Sequence, residues 1–484
     1  MLPDADACYR ALRTRDARFD GRFFVAVTST RIYCRPICTA RPVKRENCRF
    51  YATAAEAESA LYRPCLRCRP ELAPGNASVD ASARLAHAAA IAIENGTYGE
   101  GGFAEIARGL GVTDRHLRRV FGAEFGVSPV AYAQTQRLLL AKRLLTDTAM
   151  SVTAVAFASG FSSLRRFNAL FVERYRLRPL ELRKKREREP ANGSDAIELN
   201  IAVRPPFAWD ALVGFLSSRT IDGVEEVDAT SYRRTVRIAR GDSARGTGRV
   251  HAGWIEIAPA KKANALRLRI ASSLLGVLPA VLGKAKHLAD ASADPVAIAA
   301  ILGTLAKGEP GLRVPGAFDG FEVAVRAVLG QQITVKAART LAARFAAAFG
   351  SPVETPFPNL RLVFPSAGEI AGKTVDEIAR LGIIASRTRT ILALASAIAG
   401  GTLSLRPGAD IDATLAALRA LPGIGEWTAQ YIAMRALAWP DAFPHTDLGV
   451  MKALGEKNPK RVLEAGEAWR PWRAYAVMHL WRTL

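Results

Sequence analysis

Five of the six cysteines in this 484-residue chain lie within residues 34–68, in CRPICTARPVKRENCRFYATAAEAESALYRPCLRC. Such a cluster restricts the local fold to disulfides, a structural metal knot, or a metal site that performs chemistry. Four of the cysteines are spaced C-x3-C and C-x2-C, with 26 residues between the pairs: Cys34, Cys38, Cys65 and Cys68. Two close pairs that converge on one ion are typical of a tetrahedral zinc site. Cys48 and Cys8 break the spacing and are predicted to be ordinary thiols.

The chain lacks the features of a secreted or membrane protein. Its start, MLPDADACYRALRTRDARFD, has no long apolar run, and LLGVLPAVLG, among the longest apolar stretches, is far shorter than the roughly 20 residues of a membrane span. We therefore expect a cytoplasmic protein without membrane association, where disulfides are disfavoured. The net charge is +22 and the basic excess extends over both halves. This balance favours a polyanion such as DNA as partner, although a basic charge alone also serves solubility.

Breaks in composition divide the chain into several domains, and we predict a multidomain, mainly α fold. Residues 80–186 and 313–484 are rich in Ala, Leu and Arg at helical spacing, whereas IELNIAVRPPF and later segments alternate like antiparallel strands. The predicted segments are a small zinc α+β domain (1–76), an all-α tandem helix-turn-helix domain (80–186), a linker (187–196), an α+β domain (197–312) and an all-α helix-hairpin-helix domain (313–484).

The cysteine window carries more positive charge than a structural knot requires, because eight Arg and Lys side chains, Arg35 and Arg67 among them, surround it. Four thiolates on one Zn²⁺ leave a net charge of −2, and such sulfur is nucleophilic where an electrophile can reach it. The stretch FFVAVTSTRIYCRPICTARPVKRENCRFYA with YRPCLRCRPELA resembles the N-terminal domain of the Ada adaptive-response family. The resemblance implies that Cys34 irreversibly accepts a methyl group from a DNA methylphosphotriester while the other three cysteines remain zinc ligands.

Two stretches of the middle segment have a helix-turn-helix pattern, FAEIARGLGVTDRHLRRVFGAEFGVSP and SVTAVAFASGFSSLRRFNALFVERYRLRP. Arg and Asn on the second helix of such a unit can read base edges in a major groove, and Ser can hold phosphates. The candidate DNA contacts are Arg115, Arg118 and Arg119 in the first unit and Ser163, Arg165, Arg166 and Asn168 in the second. The alternative is a helical bundle with a solvated arginine face.

The tandem units, with GFSS and a closing RP, resemble the AraC-type regulator domain over most of residues 82–185. Fused to the zinc unit, they have the arrangement of an Ada-like transcription activator of the bacterial cytoplasm and nucleoid. This implies an operator in double-stranded DNA and RNA polymerase as partners, and we expect a monomer. No PCH follows and no Cys occurs after Cys68, so the alkylguanine methyltransferase domain of some relatives is absent.

The segment LRALPGIGEWTAQYIAMRAL predicts two helices joined by LPGIG, whose Gly423 and Gly425 permit a tight turn with exposed amides. Amides at a helix start can bind a DNA phosphate, together with a monovalent cation at the hairpin. Further on, DAFPHTDLGVMKAL places Asp447 after an extended segment. Taken alone, Asp447 is most simply a helix N-cap.

These motifs and WRPWRAYAVMHLWRTL resemble helix-hairpin-helix DNA glycosylases of the 3-methyladenine glycosylase II (AlkA) branch, over essentially all of residues 197–484. The resemblance implies that Asp447 is the catalytic aspartate and that Trp427, Tyr431 and Trp481 line the base pocket. Trp427 stands where strand-cleaving relatives carry lysine, which implies a monofunctional hydrolase. At the position of the apolar wedge that fills the gap left by a flipped base, GQQIT offers Gln331, Gln332 or Ile333.

Three hypotheses follow. The leading one is an alkylation sensor, transcriptional regulator and base-excision enzyme in one chain, with Cys34 as methyl acceptor and Asp447 acting on alkylated bases such as 3-methyladenine. The second is a transcription activator whose glycosylase half is only a DNA-binding scaffold. The third is a glycosylase whose front half merely anchors it to DNA.

Overall fold

The computed structural model describes residues 4–40, 43–73, 81–96, 102–184, 195–240, 249–261 and 263–484. Residues 187–194 of the predicted linker lie outside these ranges. Contacts divide the chain into two compact units, the first formed by Met1–Pro205, Ala260–Gly283 and Ala291–Asp294, the second by Pro206–Pro259, Lys284–Asp290 and Pro295–Leu484. None of the helices in the described ranges has both the length and the apolar content of a bilayer span.

The strands are short except in the α+β segment, and are, in chain order, β1 Phe24–Val27, β2 Ile32–Cys34, β3 Cys48–Tyr51, β4 Arg63–Pro64, β5 Ala196–Ala202, β6 Glu225–Val227, β7 Tyr232–Arg240, β8 Arg249–Pro259, β9 Ala265–Ala271, β10 Ser351–Pro352 and β11 Leu362–Val363. The helices are α1 Ala5–Thr14, α2 Ala54–Ser59, α3 Ala81–Glu94, α4 Gly102–Gly109, α5 Asp114–Phe125, α6 Pro129–Asp147, α7 Val152–Ala158, α8 Leu164–Tyr175, α9 Pro179–Lys184, α10 Trp209–Ser217, α11 Leu278–Leu288, α12 Pro295–Leu302, α13 Gly320–Leu329, α14 Val335–Phe349, α15 Ala367–Ala371, α16 Val375–Ala379, α17 Ala385–Ala399, α18 Ile411–Ala420, α19 Glu426–Arg435, α20 Leu448–Ala453, α21 Pro459–Gly466 and α22 Arg473–Arg482.

The cysteine-rich segment forms a four-stranded sheet in the order β3-β1-β2-β4. β2 and β4 are parallel, with Tyr33 opposite Pro64. The residues that follow this pair are Cys34 and Cys65, so the parallel register brings the two cysteine turns to the same end of the sheet. Buried Phe24, Ala26 and Tyr33 form the core on one face.

The middle segment consists of the two predicted helix-turn-helix units, α4–α5 and α7–α8, joined by the 19-residue helix α6. The helices α5, α6, α7 and α8 each begin at a hydroxyl N-cap. The cap oxygen accepts a backbone N–H of the first turn, which has no partner within the helix. These caps are Thr113, Ser128, Ser151 and Ser163. The predicted tandem arrangement is confirmed.

The predicted strands of the α+β segment are present, and the structure adds the short strand β6. In the first unit, β5 pairs with β9 in antiparallel register. In the second unit, β6, β7 and β8 form an antiparallel run. The helical remainder of the second unit packs around α13, which is apolar on nearly all sides and contacts α17 and α19. α13 ends at the GQQIT turn, so this core positions the turn beside the α18–α19 hairpin.

Candidate functional sites

The four predicted cysteine ligands lie together. Their sulfur atoms, on Cys34, Cys38, Cys65 and Cys68, are all within 4.8 Å of one another. A tetrahedral zinc ion with Zn–S bonds of about 2.3 Å needs sulfur atoms about 3.8 Å apart, so this set fits one ion with little adjustment. The donor chemistry is that of zinc, and the predicted zinc site is confirmed.

Backbone amides distinguish the four sulfur atoms. The Arg35 N–H donates to Cys68 Sγ at 3.3 Å and the Arg67 N–H donates to Cys65 Sγ at 3.4 Å. Within the described ranges, no backbone amide donates to Cys34 Sγ, and this residue is only partly buried. Hydrogen bonds withdraw electron density from a thiolate, which makes Cys65 and Cys68 the weaker nucleophiles. Of the other two, Cys34 is half-buried and Cys38 is buried.

The basic residues around the cysteines fall into two groups. Arg35, predicted as a DNA contact, is 4% exposed and its guanidinium forms an ion pair with Asp20, with Nε 2.8 Å from Oδ1. It also donates to the Cys68 carbonyl at 3.3 Å, so it braces the cysteine turn and does not present its charge to solvent. Arg67 is exposed, and its contact with a DNA phosphate stays a prediction.

The predicted reading residues of the helix-turn-helix units lie on the second helix of each unit. Arg115, Arg118 and Arg119 are exposed on α5, although Arg118 also pairs with Asp114 at 2.8 Å. On α8, Arg165 and Arg166 are exposed and Asn168 is half-buried. The Ser163 hydroxyl caps the helix by accepting the Arg166 N–H at 3.4 Å. The base contacts of all seven residues stay predictions.

In the second unit, the Asp447 carboxylate is held from three directions. Trp427 Nε1 donates to Oδ2 at 2.7 Å, and Trp481 Nε1 donates to Oδ1 at 2.9 Å. The Val450 N–H also donates to Oδ1, at 3.0 Å, because Asp447 is the N-cap of α20. The helix-cap interpretation is therefore correct but incomplete. Two indole N–H groups from different helices fix the carboxylate without neutralising its charge.

Aromatic rings form the walls beside this carboxylate. Trp427 and Tyr431 stack with centroids 5.3 Å apart and an interplanar angle of 17°, and Trp481 lies 6.4 Å from Tyr431. Phe215 of α10 stacks on Trp481 at 6.3 Å and 16°. The three predicted pocket residues are brought together, and Phe215 adds a wall that sequence reasoning missed.

Two guanidinium groups flank the same rings and were also missed. Arg219 lies 3.9 Å above the centroid of Phe215, and Arg435 donates to the Tyr431 hydroxyl at 2.8 Å. Neither arginine has a carboxylate partner among the described residues. Although burial alone would raise the pKa of Tyr431, these guanidinium groups lower it. Their one sequence signal is their position one turn beyond Phe215 and Tyr431, at i+4.

The predicted hairpin lies between α18 and α19. Gly423 has φ of 78°, and a Cβ there would lie 2.2 Å from the Thr390 hydroxyl, so glycine is required on both grounds. Gly425 is the N-cap of α19 and leaves the first amides of that helix without a side-chain cap. These groups suit a phosphate, whereas the monovalent cation at the hairpin stays a prediction.

The GQQIT turn separates the three wedge candidates. The Gln331 side-chain amide donates to the Gly423 carbonyl at 2.9 Å and to the Thr428 hydroxyl at 3.0 Å, so it ties the turn to the hairpin. Gln332 is exposed and has φ of 55°, which holds it at the tip of the turn. Ile333 is half-buried.

Family models match four successive parts of the chain: the metal binding domain of Ada (residues 7–71), a helix-turn-helix domain (106–185), the AlkA N-terminal domain (198–319) and the HhH-GPD superfamily of base excision DNA repair proteins (325–460). The fold and the two sites thus define a protein that combines a regulator's domains with those of a repair glycosylase.

A protein of Mycobacterium tuberculosis named "Probable bifunctional transcriptional activator/DNA repair enzyme AlkA" is 38% identical over 100% of this chain and 97% of its own length. This chain belongs to the same family of bifunctional AlkA proteins. DNA-3-methyladenine glycosylase 2 of Escherichia coli is 31% identical over 58% of this chain and 95% of its own length. The Escherichia coli enzyme named "Bifunctional transcriptional activator/DNA repair enzyme Ada" is 38% identical over 32% of this chain and 42% of its own length.

Proposed function

We propose that this protein senses alkylation damage in double-stranded DNA, activates transcription in response, and removes alkylated bases such as 3-methyladenine by hydrolysis of the N-glycosidic bond. The observation that carries the enzymatic part is the Asp447 carboxylate held between Trp427 and Trp481, beside a cluster of aromatic rings. A retired scaffold has no need to keep two indole donors on one carboxylate. If the front half only anchored the glycosylase to DNA, there would be no need for a Cys34 sulfur that accepts no backbone amide within the described ranges.

Base removal would begin when the damaged nucleotide leaves the helix and its base enters between the aromatic rings. An N-alkylated purine is cationic and stacks well on electron-rich indole and phenol faces. As the C1′–N bond breaks, its electron pair leaves with the base and positive charge develops on the sugar. The Asp447 carboxylate stabilises that charge until water adds to C1′ and loses its proton. Strand-cleaving relatives carry a lysine where this chain has Trp427, so strand cleavage is not expected to follow base removal.

The protein side of the DNA complex would use the hairpin and the GQQIT turn. The uncapped amides at the start of α19 would hold a phosphate near the flipped nucleotide. Gln332, exposed at the tip of its turn, would fill the gap left by the flipped base, while Gln331 keeps that turn against the hairpin. Among the three wedge candidates, the exposure of Gln332 and the bonds of Gln331 to the hairpin favour Gln332.

The sensing reaction would take place at Cys34. The four cysteines would hold zinc, which keeps their sulfur atoms deprotonated at neutral pH. The Cys34 sulfur attacks the methyl carbon of a methylphosphotriester, the C–O bond breaks, and the phosphodiester leaves with the electron pair. The product is a thioether at Cys34, and the net charge of the site changes from −2 to −1. Lower repulsion toward DNA phosphates would tighten operator binding by the two helix-turn-helix units.

The test is base release from duplex DNA that contains 3-methyladenine, with methyl transfer assayed on the same preparation. Wild type is expected to release the base without cutting the strand and to carry one methyl group on Cys34. Methyl transfer without base release, from a folded and zinc-loaded protein, would leave a transcription activator with a glycosylase scaffold.

A further inference from the structure

The zinc-binding segment and the long helix α6 of the first unit share a buried polar contact. Lys142, in the third quarter of α6, is 1% exposed. Its ammonium donates to Glu71 Oε2 at 2.5 Å and to the carbonyl oxygen of the zinc ligand Cys65 at 3.4 Å. The Glu71 side chain is also 1% exposed. A helix of the DNA-binding domain therefore supplies a buried positive charge to the back of the metal site.

A second group of contacts fastens the same turn to the end of α6. Arg69 directly follows the ligand Cys68 and has the left-handed φ of 58°. Its guanidinium forms two hydrogen bonds with the Asp147 carboxylate, at 2.5 and 2.8 Å, and one with the Thr146 hydroxyl at 2.9 Å. The same guanidinium reaches Glu71 at 3.0 Å. Both ends of the C-x2-C turn are thus tied to residues of α6.

A third contact joins the ligand strand itself to α6. Glu58 is 3% exposed and accepts hydrogen bonds from the Tyr33 hydroxyl and the Thr135 hydroxyl, each at 3.0 Å. Tyr33 immediately precedes Cys34 on β2. The residue before the methyl acceptor is therefore linked to α6 through one intervening side chain, that of Glu58 on α2.

The polar character of this interface is informative because buried ion pairs add little to stability compared with apolar packing of the same volume. The free-energy cost of burying these charges is lowest when every partner is in place. The ion pairs therefore favour one position of α6 on the zinc-binding segment over shifted positions. Three residues separate α5 from α6, and four residues separate α6 from α7. A shift of α6 against the zinc site therefore moves the helix that connects the two DNA-reading units.

We propose that Lys142 is a positioning residue of the methyl-accepting site and the contact through which the change of charge at Cys34 reaches the operator-binding helices. This inference rests on the proposed sensing function. Before methyl transfer the ammonium of Lys142 faces a site of charge −2, and afterwards it faces −1. Its attraction to the site is then halved while its pairing with Glu71 is unchanged, so the balance of forces on α6 differs between the two states.

The experiment uses the full-length, zinc-loaded protein with Lys142→Met, the conservative Lys142→Arg, and Lys307→Met as a control that removes one exposed lysine charge elsewhere. Because Lys142→Met leaves the buried Glu71 carboxylate without its main partner, the double variant Lys142→Met with Glu71→Gln is included. The operator probe is a duplex selected from random sequence by methylated wild type. Each protein is measured before and after methylation, both for affinity to this duplex and for the rate of zinc transfer to a chelator.

In wild type and in Lys307→Met, methylation is expected to raise operator affinity by the same factor. In Lys142→Met and in the double variant that factor should fall at least about fivefold, and zinc should transfer to the chelator at least about fivefold faster. Lys142→Arg should restore most of both. An unchanged affinity gain in the folded, zinc-loaded double variant would overturn the inference. Failure of wild type itself to accept a methyl group would instead overturn the proposed sensing function.

Discussion

The two reactive centres of this chain are held in opposite ways. Cys65 and Cys68 each accept a backbone N–H, whereas Cys34 accepts none within the described ranges. Asp447 accepts three N–H groups, two of them from indoles. A nucleophile that is used once benefits from sulfur electrons that no donor withdraws. A carboxylate that must return unchanged after each turnover benefits from a fixed position, and its charge acts without forming a bond.

The largest expected effect comes from removing Cys34, the first of the two centres compared above. Replacing Cys34 by alanine should abolish methyl transfer completely, because Cys65 and Cys68 accept amide donors and Cys38 is buried. Base release should stay within about twofold of wild type, since separate units carry the two sites. Mass spectrometry of protein incubated with methylphosphotriester DNA measures the first quantity. Cys48→Ala, which removes a cysteine outside the cluster, is the control, and a methyl group found on Cys38, Cys65 or Cys68 would refute the amide argument.

The hydrogen bonds that hold Asp447 can be weakened without removing its carboxylate. Trp481→Phe keeps an aromatic wall but removes one indole N–H from Asp447. A hydrogen bond to a charged group contributes about 1.5–3 kcal/mol, so single-turnover base release should fall roughly tenfold to a hundredfold. Trp469→Phe is the matched control, because Trp469 packs on Phe443 away from the carboxylate. Equal rates for Trp481→Phe and wild type would show that the indole donor is unimportant.

Arg219 and Arg435, beside the aromatic rings, are placed to act on the charge of the leaving base. A cationic base leaves as a neutral molecule, whereas a neutral base such as hypoxanthine leaves as an anion that a guanidinium can stabilise. Arg219→Met should therefore slow release of hypoxanthine about tenfold more than release of 7-methylguanine. The ratio of the two rates, with Lys307→Met as control, is the measurement. An equal loss for both bases would assign Arg219 a purely structural role.

A further expected effect concerns the stability of the fold near the zinc site and its dependence on pH. Burial raises the pKa of Glu58 to about 7, although hydrogen bonds from Tyr33 and Thr135 and the charge of Arg174 oppose the rise. The folded state thus holds a proton that the unfolded chain loses at a lower pH. The favourable contribution is complete below pH of about 4.5 and declines as pH rises toward 7, by up to about 3 kcal/mol.

Glu58→Gln should remove this dependence. The free energy of unfolding of the first unit, from denaturant titration of the full chain at pH 5 and pH 8, should fall with pH in wild type and stay level in the variant. Glu46→Gln, an exposed carboxylate of the same segment, is the control and should follow wild type. A wild-type slope that persists in Glu58→Gln would place its origin elsewhere.

Much of the fold and of both sites could be predicted from the sequence because their signals are local. Cysteine spacing, hydroxyl caps such as Thr113 and Ser163, and the glycines of LPGIG each specify structure within a few residues. What escaped prediction is long-range. Phe215 meets Trp481, and Lys142 meets Glu71, only because distant segments pack together. Arg35 was expected to face DNA, but its burial depends on Asp20, which no spacing rule connects to it.

The most direct test of the central claim compares wild type with Asp447→Asn on one substrate, duplex DNA carrying both 3-methyladenine and a methylphosphotriester. Asparagine keeps one oxygen that can cap the helix and accept from one indole, but its NH2 group cannot accept from the other indole and it lacks the negative charge. Base release is expected to fall about a thousandfold while methyl transfer to Cys34 proceeds at the wild-type rate. Base release by Asp447→Asn at the wild-type rate would contradict the assignment of this carboxylate and with it the claim of two independent reactive centres in one chain.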